Sequence, residues 1–62
     1  MWTSVYMTQN IETARNVKNK IEEREIIVML RLIRHEDRPG EDCFELLVPN
    51  AELNDALGII VE

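Results

Sequence analysis

Apolar and polar positions alternate with two different periods along this chain, and the changes of period mark its elements. Thr3-Ser4-Val5-Tyr6-Met7 is β-prone and alternates, with Thr3, Val5 and Met7 on one side and Trp2 and Tyr6 on the other. From Asn10 the period becomes helical. Ala14, Val17 and Ile21 recur at i, i+3 and i+7 among polar residues, which predicts a helix over 11–24 with Asn10 as N-cap and Glu12 in its first turn. Ile26 to Ile33 reads as a second strand that is apolar on both sides: Ile26, Val28, Leu30 and Leu32 on one, Ile27, Met29 and Ile33 with Arg31 on the other. A polar loop over 35–42 carries Pro39-Gly40, and Cys43 to Val48 alternates again, with Phe44, Leu46 and Val48 on a common face. Pro49 ends that strand. Asn50 is placed to cap a second helix whose stripe is Leu53, Ala56, Leu57 and Ile60.

The order β-α-β-β-α predicts a single α+β domain over residues 1–62. Its plan is a ferredoxin-like β-α-β-β-α sandwich lacking the last strand: a three-stranded antiparallel sheet with two helices on one face. In that plan the third strand lies between the first and the second. The outer edge of the first strand is then left without a partner. An unpaired edge, beside a second strand apolar on both sides, points to self-association. Trp2, Val5 and Tyr6 on the edge strand and Ile27 and Met29 on the second apolar face are the expected interface residues. The expected partner is a like chain, giving a dimer or higher homo-oligomer, or another protein.

Composition narrows the classes of function. Seven basic and twelve acidic residues give a formal net charge of −5, the wrong sign for neutralising phosphate on nucleic acid or an anionic membrane. No apolar run approaches the ~20 residues that span a bilayer. The N-terminus has neither the basic region nor the apolar stretch of a signal peptide, and Cys43 is the single cysteine. Together these lead to an expectation of a cytoplasmic protein. No Cys/His pair has the spacing of a structural zinc site, so no metal or cofactor is expected.

Several side chains carry chemistry. Arg31, Arg34, His35 and Arg38 gather positive charge at the end of the hairpin. Of these, Arg34, His35 and Arg38 are the candidate ligand-binding residues, for a phosphate, nucleotide or carboxylate. Glu36, Asp37, Glu41 and Asp42 lie close enough in sequence to neutralise them. Cys43 and His35 are potential neighbours across the hairpin, but no third group is recognisable to orient a nucleophile. The paired carboxylates Glu22-Glu23 and Glu41-Asp42 fall on polar surface. No catalytic residue is assigned, and the chain is not expected to be an enzyme.

Met1-Trp2-Thr3-Ser4-Val5-Tyr6, a helix with Ala14 early in it, the strand Ile27-Val28-Met29-Leu30-Arg31, and Glu45-Leu46-Leu47-Val48-Pro49 before a helix containing Ala56 resemble a family of very short prokaryotic signal-transducing proteins. That family is itself similar to a trimmed member of the nitrogen-regulatory PII superfamily. The resemblance implies the PII-like, ferredoxin-like fold, an oligomeric habit and a role in signal transduction. It does not extend to nucleotide sensing, because the connection over 35–42 is short and lacks tyrosine, and glycine occurs only at 40 and 58. The resulting expectation is a small regulatory or protein-interaction module. The alternative is a sensor of a small anionic metabolite or nucleotide.

Overall fold

The structure is a computed structural model that describes residues 1–38 and 40–61. Pro39, half of the expected turn tip, and Glu62 lie outside the described residues. Strand β1 (Trp2–Thr8) leads to helix α1 (Ile11–Glu22), strand β2 (Met29–Ile33), strand β3 (Cys43–Pro49), a short 3-10 turn (Asn50–Glu52) and helix α2 (Leu53–Ile60). The sheet order is β1-β3-β2, and both pairings are antiparallel. The third strand is therefore central, as the α+β plan requires, and β1 and β2 are both edges.

Both helices lie on one face of this sheet. Ile21 of α1 and Ala56 and Ile59 of α2 form one buried cluster with Leu46 and Val48 of β3 and with Ile26 and Val28. Leu46 and Val48 are two apart on one strand and so share that face. Helix α1 starts where Asn10 predicts: its side-chain oxygen accepts from the Thr13 N–H at 3.1 Å. Ala14 and Ile21 of its stripe are fully buried.

The differences from expectation have local causes. Helix α1 stops at Glu22 rather than running to Arg24. The Arg24 and Glu25 N–H groups bond back to Ile21 and Glu22, at 3.0 and 2.9 Å, in a tighter turn, and Glu25 sits at φ 62 in the left-handed region. Strand β2 begins at Met29, not Ile26. Met29 lies opposite Leu47, so Ile27 would fall opposite Pro49, which has no N–H to give. Residues 26–28 still alternate, with Ile26 and Val28 buried and Ile27 69% exposed.

Asn50 does not cap α2. It opens the 3-10 turn, and no side-chain cap bond is made at the start of α2. Its side-chain oxygen accepts instead from the Thr3 hydroxyl, and its N–H donates to the Met1 carbonyl at 3.0 Å. Because α2 enters through that tighter turn, its inward phase falls on Ala56 and Ile59. Leu57, expected in the stripe, is exposed.

The largest difference is in β1. Its pairing with β3 shifts register between Ser4 and Tyr6, a β-bulge that contains Val5. Trp2, Ser4 and Met7 lie opposite Pro49, Leu47 and Glu45, whereas Thr3, Tyr6 and Thr8 lie opposite Val48, Leu46 and Phe44. Trp2 and Tyr6, expected on a common side, are thus on opposite faces. Thr3 and Met7 are separated in the same way.

Candidate functional site

The helix-free face of the sheet is the site that these shifts build. Across it run Trp2, Ser4 and Met7 from β1, Glu45, Leu47 and Pro49 from β3, and Met29, Arg31 and Ile33 from β2. Ile27 continues the β2 row by the alternation of its lead-in. Trp2 is 43% exposed, Met7 53%, Ile27 69% and Met29 40%. Trp2 and Met7 stand on β1 and Met29 and Ile27 on β2 and its lead-in, whereas Leu47 and Glu45 on the central strand are buried. The result is a trough with two apolar ridges about 10 Å apart, twice the inter-strand spacing.

Among the described residues one charged pair lies on this face. Arg31 and Glu45 are direct cross-strand partners. Arg31 Nε donates to Glu45 Oε1 at 3.0 Å, and Nη2 donates to the same oxygen. A side-chain hydrogen bond from Ser4, the bonds from Arg31 and its positive charge hold the Glu45 carboxyl below the usual carboxylate range, against the opposing effect of burial. The carboxylate is sunk in the sheet while Arg31 lies over it, its side chain 58% exposed. The face as a whole is neutral.

The residues read from sequence as an interface divide between the two sides. Trp2, Ile27 and Met29 are on the helix-free face. Val5 and Tyr6 pack against the helix-side core, where the bulge turns them. Met7 and Leu47 join the face without having been singled out, since strict alternation placed Met7 with Val5.

The candidate ligand-binding residues are not drawn into one pocket. Arg38 makes long ion pairs with Asp37 and Glu41, at 3.8 and 3.7 Å, and its N–H bonds to the His35 carbonyl at 3.0 Å. Arg34 and Arg38 are exposed and His35 is half-buried. Arg31 is committed to Glu45. The Cys43 thiol points to the Glu41 carbonyl at 3.6 Å. Among the described residues no group of three or more His, Cys, Asp or Glu could hold a metal ion.

A second concavity, about 640 Å³, lies between the end of α1 and α2 and is lined by Arg24, Glu25, Glu52 and Asp55 around Ile26 and Ile59. It is broad and open to solvent, with acidic walls. No described helix is long and apolar enough to cross a membrane. Comparison with protein-family models, with curated proteins and with solved structures finds no match to this chain. Fold and site define it as an α+β open-faced sandwich with one helix-covered and one bare apolar face.

Proposed function

We propose that this chain is a small regulatory module that works by docking another protein chain onto the helix-free face of its sheet. One observation carries the reading: four large apolar side chains, Trp2, Met7, Ile27 and Met29, stand exposed on the same face. Scattered apolar residues on a surface need no explanation, but two apolar rows facing the same way on one sheet face suit a contact site. The paired Arg31 and Glu45, running from the edge strand to the central one, leave no unmatched charge to desolvate. Strand addition at β1 is the weaker route, because the bulge at Val5 interrupts the straight run of backbone groups that an added strand needs.

The reading is tested by placing a photoactivatable phenylalanine analogue at position 29 or 27, and at position 57 as the helix-side control, in the full chain in cells. Adducts from 27 and 29 and none from 57 are expected. Equal adducts from all three, or none from 27 and 29, overturn it.

A further inference from the structure

We infer that Met7 and Met29 are sites of reversible oxidation by peroxide, and that their sulfoxides turn the helix-free face from apolar to polar while the fold stays intact. The consequence for a partner rests on the docking reading above and supplies its regulation.

Placement is the main support. The chain has three methionines, Met1, Met7 and Met29. The two that lie in strands both stand outward on the helix-free face, one on each ridge. The buried cluster between sheet and helices holds only Ile, Leu, Val and Ala. Oxidising a thioether inside a core disrupts it, because an apolar side chain becomes a polar one. This core has no thioether to lose, so the change is confined to the surface.

The positions along the face matter as well. Met29 lies opposite Leu47, and Met7 lies opposite Glu45. Trp2 lies opposite Pro49, and Ile27 stands at that same end. Two sulfoxides therefore fall in the middle of the face and interrupt both ridges, leaving large exposed apolar side chains only at the Trp2 end. Met7, Glu45 and Arg31 share one cross-strand row. A sulfoxide oxygen at position 7 is an acceptor set in the row of the Arg31 donors, whose side chain is open to solvent.

The chemistry balances with a peroxide as oxidant. The thioether sulfur attacks one peroxide oxygen, and an S–O bond forms as the O–O bond breaks. The proton on the transferred oxygen passes to the departing hydroxide, which leaves as water. Sulfur gives up two electrons and the peroxide takes them. A methionine sulfoxide reductase reverses the change at the expense of two thiols, which become a disulfide as the oxygen leaves as water. Cys43, the remaining sulfur, is half-buried with its thiol on the Glu41 carbonyl, and the chain has no second cysteine to pair with it.

The experiment treats the purified full chain with hydrogen peroxide, then with a thiol reductant that reverses sulfenic acid at Cys43 and leaves sulfoxides in place. Peptide mass spectrometry is expected to show Met7 and Met29 oxidised alongside Met1, the most exposed of the three. Circular dichroism is expected to keep its native form, and retention on a hydrophobic-interaction column to fall. Methionine sulfoxide reductase should restore that retention. M7L/M29L, which conserves apolar volume, should keep it throughout. Met7 and Met29 that stay reduced while Met1 oxidises, unfolding on oxidation, or an equal loss of retention in M7L/M29L overturns the inference. In cells, adducts from a photoactivatable residue at position 27 are expected to fall about tenfold or more after peroxide in the parent and to persist in M7L/M29L. Adducts that survive oxidation of both methionines overturn the inference and leave the docking reading standing. No adduct from 27 even without peroxide removes the docking reading and the control over it together.

Discussion

Glu45 is the residue on which the bare face depends. Its carboxylate is nearly buried, bonded by Ser4 and Arg31, and held below its ordinary range. The unfolded chain titrates this group at about 4.3. Its folded value is lower, so the fold favours the ionised form. That contribution is present above the unfolded value and is lost as pH falls through the folded one. Arg31→Met removes two of the three causes and leaves the carboxylate with the Ser4 bond alone. It should cost about 1 kcal/mol at pH 7 and move the acid-unfolding midpoint upward. Acid titrations followed by circular dichroism check this, and coincident midpoints for the two proteins would refute the account. The pair was hard to see in the sequence because a hairpin register is set by its turn. A turn centred on Pro39-Gly40 would put Arg31 opposite Val48. The observed pairing of Arg31 with Glu45 and Ile33 with Cys43 is centred on residue 38, and no residue-type preference announces that offset.

At the level of elements, periodicity located every strand and helix, and Asn10 located the start of α1. What it missed are irregularities. A bulge adds one residue to one strand and has no fixed composition, so Val5-Tyr6 read as ordinary alternation and the outward set came out as Trp2 and Tyr6 instead of Trp2 and Met7. Asn50 was misread for a different reason. Asparagine after a strand and before an apolar helix is a good cap, but the chain makes a 3-10 turn there and the side chain reaches back to Thr3. Its role is thus to fasten the first residues of β1 to the end of β3. Asn50→Ala should cost at most about 1 kcal/mol and speed hydrogen exchange at Trp2–Ser4, leaving the amides of α2 as protected as before. Faster exchange confined to the first turn of α2 would restore the capping role.

For the whole molecule, the core is small. Ile21, Leu46 and Val48 are the largest fully buried side chains among the described residues. A domain of this size holds about 3–9 kcal/mol of stability, and Leu46→Ala removes about 3 of it. The variant should melt well below the parent, by calorimetry of both at matched concentration. A loss under 1 kcal/mol would mean that the central strand is not the keystone of the core. Sheet order and the side taken by the helices were legible because chain order and handedness leave few alternatives. The identity of what covers the bare face was not, because apolar residues attract any apolar surface and only their placement tells ridge from core. The kinked edge of β1 bears finally on polymerisation. Two unequal open edges, β1 and β2, invite head-to-tail joining, which does not close and grows into filaments. A strand with a register fault, facing a five-residue edge, is a poor template for such growth, so crowding should not draw the chain into fibrils.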